Sequence, residues 1–332
     1  MPLTRYGVLK AAAIDHRPAA GDDEHDHIHL VVGPPSRRVR YRAAVPTRSA
    51  QAPPDLLYLA DEDFRHVVTV GLADLPDGFT RLQPKPGGCA LDFVRDNLFD
   101  HSQMRAVPGG GSAPDNDLGE LVHHYLQRAV AAPDARVYVF GQAWGPQPET
   151  PDGAFGFRPA QGVHDVHLNQ GSAGEHAATD GVRQDGALLV HLPAESRWVA
   201  VFLAFRSQAW NTDDRTGHAC APPAPGERVV RIVGALVRGA DGTPGLRRVT
   251  LLNTSPRTVH IEGWRLADRR RHTYPVSAQP LPPGGTAAVA VPGWAHVDGD
   301  GILTLLDAGG RKVDGVAYTP EQARHPGWTI AF

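Results

Sequence analysis

The chain has 332 residues, a net charge of -3 and a hydrophobic fraction of 41%. That length suits about two domains, and the near-neutral charge excludes recruitment of nucleic acid by a whole-protein positive field. With Gly 36 and Pro 30, the composition favours a turn-rich, mostly β protein over a helical one. The cysteines, Cys89 and Cys220, form no C-x-x-C and read as reduced thiols. The N-terminus carries no signal-like apolar segment, and no run approaches the ~18 apolar residues of a membrane span. The expectation is a leaderless cytoplasmic protein, with export by a dedicated machine left open.

In chain order, residues 6–14, 27–32, 38–45 and 54–60 read as strands. His25, His27 and His29 would share one strand face, as a metal site or as a solvated loop running into a strand. Asp92, Arg95 and Asn97, set among apolar residues, suit a structural Arg–Asp pair. Asp115, Asn116 and Asp117 signal a helix start, and Leu118, Leu121, Val122, Tyr125 and Val130 form its apolar stripe to about residue 131. His123 and His124 fall on its solvated side. Residues 136–140 read as a core strand that runs into a turn, Gly141 to Pro146, carrying Trp144. Residues 187–191 follow as another strand. The apolar run 198–205 reads as a fully buried strand ending in the polar cluster 207–214.

The chain is organised around residues 162–171, GVHDVHLNQG. Read as a strand, Asp165, His167 and Asn169 share one face, with His164 on the other unless a bulge turns it inward. Unpaired polar groups cost free energy on a buried face, so a metal or polar substrate is the expected partner. Asp165 and His167, joined by His191 from a neighbouring strand, are the candidate ligands of a divalent ion: zinc, manganese, magnesium or iron. With His164 they form the candidate catalytic set. Asn169, Gln170, Asp185, Gln208, Trp210 and Trp144 are the candidate substrate contacts. A metal-free alternative uses His167 or His191 as base, Asp165 or Asp185 as its orienter and Ser207 as nucleophile, although no G-x-S-x-G elbow is present. A non-catalytic ligand- or partner-binding module is the third reading.

Two resemblances add to this. Residues 1–219 resemble the bacterial YukJ-type family, through MPL..YGVLK, PPDLLYLADEDF, PGG.ALDFVRDNLFD..QMR, PDNDL.EL, GVHDVHLNQG, QDGALLVHLP and FLAFRSQAWNTDD..GH. Cys89 stands where an aliphatic residue is expected, and Gln142-Ala143 replaces a more polar pair. Beyond a Pro-rich linker at 220–228, residues 229–318 resemble the lamin-tail domain, through VTLLNTSPRTVHIEGWRLADR, LPPGGTAAVAV and LTLLDAGGRKVDGVAYT. That resemblance implies an immunoglobulin-like β-sandwich over 229–332, in which Asn253 and Trp264 serve packing and turn capping. Bacterial lamin-tail domains are often joined to nucleases and phosphoesterases. The expectation is therefore an α+β N-terminal domain rich in strands, acting as a metal-dependent hydrolase on a phosphodiester or nucleic acid, with a sandwich that binds a partner.

Overall fold

In a computed structural model the chain is mostly β. The structure describes residues 6–18, 27–34, 39–48, 56–81, 98, 103–109, 117–163, 166, 186–205, 211–212, 219–220, 229–268, 272–277, 280–294, 301–310 and 312–332. Two compact units form: Met1–Phe64 with Leu72–Asp92 and Gln103–Cys220, and Ala221–Phe332 with Arg65–Gly71 and Phe93–Ser102.

The first unit is built on two long strands, β1 (Tyr6–Pro18) and β7 (Arg136–Gln147). Between them in sequence come β2 (His27–Gly33), β3 (Tyr41–Pro46), β4 (Leu56–Asp61), α1 (Val68–Ala73), β5 (Gly78–Arg81), β6 (Arg105–Ala106) and α2 (Asp117–Ala131). After β7 come β8 (Ala160–Val163), β9 (Gly186–Leu192), β10 (Arg197–Phe205), β11 (Asn211–Thr212) and β12 (Ala219–Cys220). The main sheet runs β5-β1-β2-β3-β8-β7-β9-β10-β4-β6, and β1 also pairs with β7. The path β1-β2-β3-β8-β7 therefore closes on itself as a small barrel, and β9, β10 and β4 extend the sheet from the other half of β7. All of these pairings are antiparallel except β3 with β8.

Strand alternation explains the core. Leu9, Ala11, Leu30, Val45, Val137, Val139, Leu188, Val190, Val199 and Val201 point to one side and pack together. Helix α2 covers them with Leu118, Val122, Tyr125, Leu126 and Ala129, a stripe at helical spacing. Each such aliphatic side chain contributes about 1.5–3 kcal/mol on burial. Asp117 and Glu120 in the first turn of α2 and Arg128 in its last turn complement the helix dipole.

One expectation is corrected here. Gly141 to Pro146 is not a turn, because β7 runs on to Gln147. The strand survives its glycines by changing partner, from β9 at Arg136–Phe140 to β8 at Ala143–Gln147.

In the second unit, β13 (Val230–Arg238), β14 (Pro244–Asn253), β17 (Thr286–Trp294) and β20 (Ile330–Ala331) form one four-stranded sheet. The other contains β15 (Arg265–Asp268), β16 (Thr273–Pro275), β18 (Gly301–Leu306) and β19 (Lys312–Tyr318). Ile232, Val249 and Leu251 of the first and Leu266, Leu303 and Leu305 of the second share one core, which makes the pair sandwich-like. Buried Asn253 is the hub of a turn. Its amide nitrogen donates to the carbonyls of Arg257, Leu281 and Pro282 at 2.7, 2.9 and 3.0 Å, and its oxygen accepts from the Ser255 N–H and hydroxyl.

Candidate functional site

The glycine-bounded motif begins on the barrel. Gly162 lies opposite Arg42 of β3 and Trp144 of β7, and a side chain there is impossible: a Cβ would fall 1.8 Å from the Arg42 carbonyl oxygen. Val163 ends β8, and Val166, in a turn and fully buried, donates its N–H to the Ala44 carbonyl at 3.0 Å. The start of the motif is thus fixed along β3. His164, Asp165, His167, Asn169, Gln170, Asp185, Ser207, Gln208 and Trp210 lie outside the described residues, as does His25.

Around Gly162 the described side chains converge. Alternation turns His29 and Arg42 to the barrel's outer side, away from Leu30 and Ala43. The Arg42 Nε donates to Asp152 at 2.7 Å, and Nη1 lies 3.2 Å from the His29 Nδ1. Because arginine only donates, this contact makes His29 Nδ1 the acceptor and puts the neutral ring's proton on Nε2. The guanidinium sits 5.4 Å from the centre of the Trp144 ring. The Asp152 side chain is fully buried, and its second oxygen accepts the N–H groups of Ala154 and Phe155 at 3.0 and 2.8 Å. Asp152 therefore closes its own loop and neutralises Arg42 at once. Arg42 Nη2 has no hydrogen-bond partner among the described residues. The Trp144 Nε1 and Gln142 Oε1, two positions apart on the same side of β7, are buried with no partner.

His191 stands elsewhere. It pairs with Arg136 at the far end of β7, whereas Val163 pairs with Ala143. Those seven positions correspond to roughly 23 Å along the strand. Its ring stacks on Trp198, with centroids 4.2 Å apart and planes 10° apart. Burial lowers its pKa below the ordinary histidine value; Asp134 opposes the shift and Lys10 adds to it. Beside it, burial pushes the Tyr138 hydroxyl up to about 12, and Lys10, over the Tyr138 ring, donates to the carbonyls of Ala73 and Leu75. Among the described residues, His191 thus lies at the opposite end of β7 from Trp144, which meets Arg42. The sequence reading missed Arg42 and Asp152. The alternation in RVRYRAAV puts Arg42 on the outer face, but its partner lies 110 residues on.

Residues 1–217 match the family described as "Uncharacterized conserved protein (DUF2278)". The chain belongs to this family. It is similar to a Bacillus subtilis (strain 168) member, "Uncharacterized protein YukJ", 36% identical over 216 residues, or 64% of this chain and 93% of that one. The barrel, α2 and the Arg42 site all lie within the DUF2278 match; the sandwich lies beyond it. No solved structure matches.

Proposed function

We propose that the DUF2278 unit is a metal-dependent hydrolase of anionic substrates, a phosphodiester or nucleic acid first among them. The observation that carries the reading is Arg42: an always-charged guanidinium, held on two nitrogens, with its third facing no described partner beside the glycine where the polar motif begins. A guanidinium so fixed suits a phosphate oxygen. In this reading Asp165 and His167 hold a zinc, manganese or magnesium ion, which would activate water when bound. His164 moves a proton, and Asn169 and Gln170 orient the substrate. His191, expected as a third ligand, is read here as a packing residue at the Arg136 end of β7. Its ring packs on Trp198.

A second reading has its own support. The Trp144 indole N–H and the Gln142 amide oxygen are a donor and an acceptor without partners, as a non-catalytic pocket for a polar ligand would offer. The sandwich we read as an immunoglobulin-like, lamin-tail module that binds a partner, supported by its two facing four-stranded sheets and the Asn253 turn. Both readings assume a cytoplasmic protein. Among the described residues no helix is long and apolar enough to cross a membrane.

The test is hydrolysis of bis-p-nitrophenyl phosphate and of single-stranded DNA by full-length protein with Mn or Zn. Asp165→Asn and His167→Ala should abolish turnover, Arg42→Ala should lower kcat/KM by on the order of 10²-fold, and His191→Gln should leave it near wild type. Turnover that survives Asp165→Asn but is lost in Ser207→Ala selects the metal-free mechanism. No turnover with any substrate removes the hydrolase in favour of the binding pocket.

A further inference from the structure

A second group of chemistry-bearing side chains lies away from Arg42, where α2 crosses β1. His16 of β1 and His123 of α2 are 107 residues apart in sequence, yet the His16 Nε2 and His123 Nδ1 are 2.9 Å apart. Their ring centroids are 4.8 Å apart and their planes are tilted by 54°. Two imidazole nitrogens bound to one ion at ~2.0–2.1 Å, at an angle of about 90–100°, are themselves ~2.9–3.2 Å apart. The rings' centres would then be roughly 4.5–5 Å apart, as they are here. His16 is half-buried beside the core, and His123 is exposed, so solvent reaches the point where the two nitrogens meet.

From this we infer that His16 and His123 form a site for one borderline divalent ion, of the zinc, nickel or copper class, which clasps α2 to β1. Imidazole pairs favour these ions over magnesium or calcium. Burial, and secondarily His123, lower the His16 pKa, with Asp15 opposing. Among the described residues no third histidine, cysteine or acid joins the pair, so water fills the remaining positions. The His16 Nδ1 is buried without a partner. Ligation through Nε2 places the ring's proton on that nitrogen, and the cost of leaving it unpaired keeps the affinity modest. Metal-free, the pair is a single N–H···N hydrogen bond. The site is independent of the metal proposed at Asp165 and His167.

The test is calorimetric titration of full-length protein with NiCl₂, and electron paramagnetic resonance with one equivalent of Cu²⁺, at pH 7.5. His123→Ala removes an exposed helical side chain, and a metal-free melt matching wild type shows that it folds. The expected result is that His16→Ala and His123→Ala each lose one bound nickel and the two-nitrogen copper signal. His124→Ala keeps both, and nickel raises the melting temperature of wild type but not of His123→Ala. An unchanged nickel stoichiometry in His123→Ala overturns the inference. So does an equal loss in His124→Ala, which marks surface histidines binding at random.

Discussion

Removing the Asp152 carboxylate should unfold the barrel more easily than any surface change of the same size. In Asp152→Ala the Arg42 guanidinium keeps its charge, with a side chain only 20% exposed, and loses its 2.7 Å partner. The N–H groups of Ala154 and Phe155 lose their acceptor as well. Breaking a buried ion pair costs about 3–5 kcal/mol, and the water that still reaches Arg42 places this pair near the lower figure. For a domain of this size a loss of about 3 kcal/mol moves the urea midpoint by about 1 M. Tryptophan fluorescence follows the transition, and amide hydrogen exchange assigns it to residues 136–163. Arg42→Met with Asp152→Ala should cost clearly less than the sum of the two single changes, because the orphaned charge is gone. A single-mutant loss below about 1 kcal/mol, or strict additivity, would refute the claim that Asp152 holds Arg42.

Other perturbations follow from the same contacts. Gly162→Ala drives a methyl into the Arg42 carbonyl and should cost on the order of 3 kcal/mol, read as a lower urea midpoint; wild-type stability would mean that β3 and β8 are not so close. Asn253→Ala leaves the carbonyls of Arg257, Leu281 and Pro282 without their donor and should cost about 2–4 kcal/mol, with faster hydrogen exchange confined to residues 229–332. Acid should weaken the first unit. His191 and His16 have folded pKa values below the ordinary histidine value of about 6.5, so the unfolded chain takes up protons first. Their stability contribution is present above pH 6.5, is lost as pH falls below it, and levels off beneath the lowered values. His191→Gln should flatten that slope, measured by urea titrations between pH 7.5 and 5; an unaltered slope would contradict the burial of its ring.

The local signals carried much of the architecture. The apolar runs at 136–140 and 198–205 are strands, with both faces buried at 137–140 and 199–203, and the α2 stripe at 118, 122, 125 and 129 is the packed face of that helix. What local pattern does not encode is partner choice. Nothing in Gly141 to Pro146 shows that β7 exchanges β9 for β8 and so closes a barrel. The Arg42–Asp152 and His16–His123 pairs join residues more than a hundred positions apart, which no window of sequence reveals. The glycine at 162 was legible as a boundary; its reason, the close pass of Arg42, is a property of the parallel pair.

The most direct measurement for the hydrolase is manganese-dependent turnover of bis-p-nitrophenyl phosphate by wild type, Asp165→Asn and Arg42→Ala, taken side by side. Turnover lost in Asp165→Asn, and reduced on the order of 10²-fold in kcat/KM with saturable metal in Arg42→Ala, is the expected result. Equal rates in all three proteins would contradict it.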